Sequence, residues 1–169
     1  YVVAREPGTG GNAITTTETG ANIAWDDATL QDGGTDQLRQ VGMPDDVGAI
    51  WVATFNSYVL VAPVQGNGVN GQFYWIEPGE TFVDPLNFAT AERSPDPILE
   101  IVALSDRFWL LGQSSSEAWI TTGNIDAPMI RMSGILYEQG IWAGTGIKIN
   151  NEIITVDQYG DVYLIGGGI

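Results

Sequence analysis

At 169 residues the chain is long enough for one sizeable hydrophobic core and too short for two full domains, so one domain is expected. It has no cysteine and no histidine, which removes disulfide frameworks, thiolate or imidazole metal sites, and any Ser-His-Asp or Cys-His machine built from this chain alone. Twenty-one acidic residues against six basic ones give a formal net charge of −15, and a surface of that sign repels nucleic acid.

The chain opens on Tyr1-Val2-Val3-Ala4-Arg5, strand-like residues with no initiator Met and none of the features of a signal peptide, which points to a fragment or processed product of a longer protein. No apolar stretch approaches the roughly 20 residues needed to span a bilayer, so a soluble protein without membrane contact is expected. From Gly8 to Asp46 the texture is Gly, Thr, Asp and Gln, with Ile14, Ile23, Trp25 and Leu30 as isolated apolar anchors. That reads as an elaborated loop or a distorted first unit. Thr35 to Val41, fenced by Gly33-Gly34 and Gly42, earns at most a single helical turn.

Beyond this point nearly every apolar cluster is short, β-branched or aromatic, and bounded by Gly, Asn, Asp or Pro, which is the pattern of strands. The clearest are Ala49 to Phe55, Tyr58 to Ala62, Phe73 to Ile76, Ile98 to Leu104, Phe108 to Leu111, Ala118 to Ile120, Ile153 to Val156 and Val162 to Ile165. Three tight turns, at Asn56-Ser57, Ser105-Asp106 and Asn150-Asn151, anchor a repeated plan: strand, turn, strand, polar turn, aromatic strand, glycine. The turns recur at about 50 and then about 45 residues, near the length of a propeller blade. Between the first two repeats, Glu80 to Pro97 carries Pro85, Pro95 and Pro97 and is expected to be a long connection without regular strand or helix.

The expected fold is therefore all-β, made of antiparallel hairpin repeats that form a partial β-propeller, with a β-sandwich as the alternative. Its divisions are a loop-rich segment 1–46, blade-like units 47–97 and 98–140, and a partial unit 141–169, all in one domain. Three such units fall short of the roughly four to eight blades of a closed ring.

Gly66-Asn67-Gly68-Val69-Asn70-Gly71 matches a dinucleotide-binding pattern letter for letter, but the next residues, Gln72 to Ile76, read as strand where a phosphate site needs a helix N-terminus. The acidic pairs Asp26-Asp27 and Asp45-Asp46 lack the alternating spacing of a calcium loop and read as solvated turn residues. Trp51, Trp75, Trp109 and Trp119 fall inside apolar strands and are assigned to the core; Trp25 and Trp142 lie in more polar stretches, where an aromatic sugar platform would be sought first. The basic residues Arg5, Arg39, Arg93, Arg107, Arg131 and Lys148 are scattered and form no DNA-gripping run. No catalytic, cofactor-binding or metal-ligating residue is assigned.

The run Gln72 to Ile76, followed by Asp84-Pro85-Leu86-Asn87-Phe88-Ala89-Thr90-Ala91-Glu92-Arg93-Ser94-Pro95-Asp96-Pro97-Ile98, resembles the packaged-DNA stabilisation proteins of short-tailed bacteriophages. Asp106 to Gln113, Glu117-Ala118-Trp119, Thr122-Gly123-Asn124 and Gly134 to Gly140 continue the resemblance in the same order. It implies a propeller-like structural protein of the phage neck or tail, soluble in the host cytoplasm before assembly. Such a protein joins the portal and other tail proteins, closes the filled head and retains its DNA, with a homo-oligomeric ring as its expected assembly. It implies no catalysis, no cofactor, no small-molecule ligand and no sequence-specific contact with nucleic acid. The alternative reading is a carbohydrate- or receptor-binding tail module, and a third is a glycoside-cleaving enzyme using two carboxyl groups across a cleft.

Overall fold

Branched and aromatic side chains suit a pleated, packed surface, and runs of them become strands wherever turn residues interrupt them. The computed structural model describes residues 41–44, 48–65, 70–91 and 96–166, all inside the compact unit Val41–Ile169. Eleven strands are found among them: β1 (Ala49–Phe55), β2 (Tyr58–Pro63), β3 (Gln72–Ile76), β4 (Phe88–Thr90), β5 (Ile98–Ala103), β6 (Phe108–Gly112), β7 (Ser116–Thr121), β8 (Met129–Tyr137), β9 (Ile147–Ile149), β10 (Glu152–Val156) and β11 (Val162–Ile165). Within each sheet, strands pair antiparallel with their neighbours in sequence, giving three meandering sheets in the orders β1-β2-β3-β4, β5-β6-β7-β8 and β9-β10-β11. Apart from Val41 to Pro44, the loop-rich segment lies outside the described residues, and so do Trp25 and the two acidic pairs.

The tight turns set the register. Asn56 and Ser57 both have positive φ, 47° and 69°, the conformation whose twist matches a two-residue hairpin, and they bring Phe55 opposite Tyr58. Asn150, at φ 55°, opens the corresponding turn of the third sheet.

The sheets stack in series and meet through their first strands, β1 lying against β5 and β5 against β9. The indole N–H of Trp51 in β1 donates to the carbonyl of Ile101 in β5 at 2.8 Å. One core lies between the first and second sheets, where Phe55, Leu60 and Phe73 meet Ile101, Phe108 and Trp119. A second lies between the second and third sheets, where Trp109, Leu111 and Ala118 meet Ile141, Ile153 and Ile165. The unbroken apolar run of β6 reflects this arrangement: Phe108 and Leu110 enter one core, Trp109 and Leu111 the other, and all four are buried. A series of antiparallel sheets joined at their inner strands, with the middle one covered on both faces, is a partial propeller and not a two-sheet sandwich.

Two expectations are corrected. The proline-bearing connection from Glu80 to Pro97 contains a regular strand, β4, paired through Gln72–Thr90, Phe73–Ala89 and Tyr74–Phe88. Proline restricts itself and the residue before it, and Phe88 to Thr90 are clear of both constraints, so three residues are free to pair at the sheet edge. The repeat plan of three strands also falls short, because β4 and β8 add a fourth to the first two sheets. β8 does not show in the sequence as an alternating strand because it is interrupted by Gly134 at φ 79° and by a shift of register opposite Glu117 to Trp119.

Candidate assembly surface

The inward-facing acids hold loops in place. Asp96 ends the connection into the second sheet, and its carboxylate accepts hydrogen bonds from the N–H and hydroxyl of Ser114 and from those of Ser115, at 2.6 to 3.1 Å. This ties the β6–β7 turn to the start of β5. Asp157 is buried at the β10–β11 turn, where its Oδ1 accepts from the N–H of Tyr159 at 2.8 Å and of Asp161 at 2.9 Å. Glu100 on β5 is 2% exposed and accepts from the N–H of Gly146 at 3.0 Å, pinning the loop that leads into the third sheet. Burial pushes its carboxyl above the ordinary carboxylate range, against the downward pull of the Gly146 and Gly144 N–H groups.

The turn tips of the second and third sheets are also tied. Asn151 Oδ1 accepts from the Ser105 N–H and hydroxyl, while Asn151 Nδ2 donates to Asp106 at 3.1 Å. The side-chain hydrogen bonds from Arg107, and after them the one from Asn151, hold the Asp106 carboxyl down at about 2. Sequence spacing could not have revealed these acids as loop anchors, since Glu100 and Gly146 lie 46 residues apart.

The outer faces of the series differ. On the first sheet, Val61, Tyr74 and Ile76 form a small core under Val83 of the β3–β4 connection, with Met43 packed against it. On the third sheet, pairing places Ile147 opposite Ile154, Ile154 opposite Leu164, and Val156 opposite Val162, so these residues share the face turned away from the second sheet. Ile147 is 67% exposed, Val162 68% and Leu164 57%. A contiguous apolar face of this kind is the mark of an interaction surface.

Trp51 is partly buried and Trp75, Trp109 and Trp119 are core residues, as expected; Trp142 stands 62% exposed on the loop before β9. The glycine-rich pattern ends at Gly71 and runs into β3, with Gln65 Oε1 accepting from the Gly71 N–H at 2.7 Å, so the strand context holds. Among the described residues no cluster of three or more acidic side chains is placed to hold a metal ion, and no helix is long and apolar enough to cross a membrane.

No curated protein matches the chain. A family model does: the phage-stabilisation model described as bacteriophage P22 Gp10, β-propeller, matches residues 11–158. That span takes in the first two sheets, β9 and β10. The stacked antiparallel sheets and this match agree on the fold, and the chain belongs to the bacteriophage P22 Gp10 β-propeller family of phage-stabilisation proteins.

Proposed function

We propose that the chain is a structural, non-catalytic part of the phage neck, which seats against the portal and other tail proteins and helps retain packaged DNA. Family membership supplies the setting, and the exposed apolar face of the third sheet is the observation that carries the reading. An isolated sheet with Ile147, Val162 and Leu164 open to water loses hydrophobic stabilisation that a neighbouring protein surface would restore. Repetition of such contacts around an axis gives a ring, which buries exposed sheet surface and leaves a central passage. A net charge of −15 suits a wall beside DNA, because a surface that repels phosphates does not hold the strand as it passes.

The test is genetic and physical together. Particles assembled without the protein are expected to package DNA and then lose it, and the protein is expected in purified particles and as a multimer in solution. Particles that lack it yet keep their DNA as well as the parent would overturn the reading.

A further inference from the structure

β8 is the last strand of the second sheet, and among the described residues one row of its backbone N–H and C=O groups faces no neighbouring strand. Free edges are commonly kept short; of the last strands of the three sheets, β4 has three residues and β11 four, whereas β8 has nine. Two open clefts, of about 510 and 500 Å³, run along β8. The first lies between Ala89 and Thr90 of β4 and Trp119, Met129, Arg131 and Ser133. The second continues past Gly134 and Leu136 to Glu138, and the two share Arg131 and Ser133, which makes one trough along the edge.

Arg131 gives the trough its chemistry. The other described residues lining the first cleft are Ala89, Thr90, Trp119, Met129, Ile130 and Ser133, none of them a carboxylate. Arg107, by contrast, lies 2.6 Å from Asp106. Glu138, the one carboxylate lining the trough among the described residues, stands in the second cleft, so in the first the half-buried guanidinium is matched by a carboxylate brought from outside.

We propose that the free edge of β8 takes an extended segment of a partner protein as a fifth strand, with a carboxylate of that segment on Arg131. The main-chain ladder supplies affinity and the cleft beside Trp119 and Met129 takes an apolar neighbour of the carboxylate. The net charge of −15 disfavours a uniformly acidic segment, so the ligand is neutral overall, β-branched, and carries one Asp or Glu balanced by a Lys or Arg further along. This goes beyond the neck reading and does not depend on it.

The test is selection of binders from a displayed library of random octapeptides on the full chain, followed by affinity measurement and hydrogen exchange. Alternating β-branched peptides with one acidic residue are expected. Their affinity should fall about ten-fold or more with Arg131→Gln or with Asp→Asn or Glu→Gln in the peptide, with part of it restored by Arg131→Lys. Binding should slow exchange of alternate amides within β8, while Arg131→Gln leaves the melting temperature unchanged. An empty selection, peptides indifferent to Arg131→Gln, or protection at another strand would overturn the proposal. Protection of β8 by a second copy, seen as a doubled mass without peptide, would overturn the assigned occupant. Absence of the protein from purified particles would refute the neck reading while leaving this binding result intact.

Discussion

Replacing Phe73 by Ala tests whether the first two sheets are held together by packing across their interface. Phe73 projects from β3 and is fully buried. Its ring centroid lies 5.7 Å from that of Phe108 at 72° and 5.2 Å from that of Trp119 at 80°, both edge-to-face contacts made with the second sheet. Removing a buried phenyl ring costs about 3–5 kcal/mol, and at roughly 2–4 °C per kcal/mol for a chain of this size the melting temperature should fall by about 6–20 °C. Phe88→Ala is the control, because Phe88 is 44% exposed and among the described residues has one ring neighbour, Tyr74, at 6.0 Å; its cost should be about 1 kcal/mol. Urea unfolding followed by tryptophan fluorescence and far-ultraviolet circular dichroism measures both. A double-mutant cycle between Phe73→Ala and Trp119→Ala should give a coupling of about 0.5–1.5 kcal/mol. Equal losses for Phe73 and Phe88, or strict additivity of Phe73 with Trp119, would refute the idea that these rings join the sheets.

Asp96→Ala removes the acceptor of four hydrogen bonds from Ser114 and Ser115 and should cost on the order of 2–3 kcal/mol in urea unfolding. Because burial raises the Glu100 carboxyl above its ordinary 4.5, the folded state binds the proton more tightly than the unfolded one, and stability declines as pH rises past that value. Glu100→Gln keeps an acceptor for the Gly146 N–H and removes the charge, so its melting temperature should gain on the parent's between about pH 4 and pH 8. For Asp106 the sign is reversed: its folded value of about 2 lies below the ordinary 3.8, so the contribution is present above 3.8 and disappears as pH falls through about 2. Asn151→Ala should move the Asp106 titration, read by carboxyl carbon resonances, upward from about 2, with only a small effect on stability at so exposed a group.

The strands legible in the sequence were those whose neighbours left a local mark. β1 and β2 are announced by Asn56-Ser57 between β-branched runs, and β6 by four consecutive apolar residues that only a strand covered on both faces accommodates. Tryptophans in apolar runs went to the core, and Trp142, in a polar stretch, lies largely exposed. β4 and β8 were hidden for different reasons. Proline weighs against strand only at its own position and the one before it, and Gly134 breaks the alternation that would have marked nine residues as one strand. The assembly surface was invisible because it is made by pairing: Ile147, Ile154 and Leu164 come from three separate strands, and only the register places them side by side.

The same register bears on assembly. In β10, Ile153 faces the core while Ile154 faces outward; in β11, Ile165 faces inward while Leu164 faces outward. The third sheet is thus apolar on both sides, as β6 of the second sheet is, although only one of its faces is packed among the described residues. A sheet meant to end against water alternates apolar with polar residues, whereas one meant to lie between neighbours does not. At the other end of the series, Val83 and Met43 close the outer face of the first sheet over Val61, Tyr74 and Ile76. The third sheet therefore carries the composition of an interior blade, and in the proposed neck assembly its outer face is the one a neighbouring surface would cover.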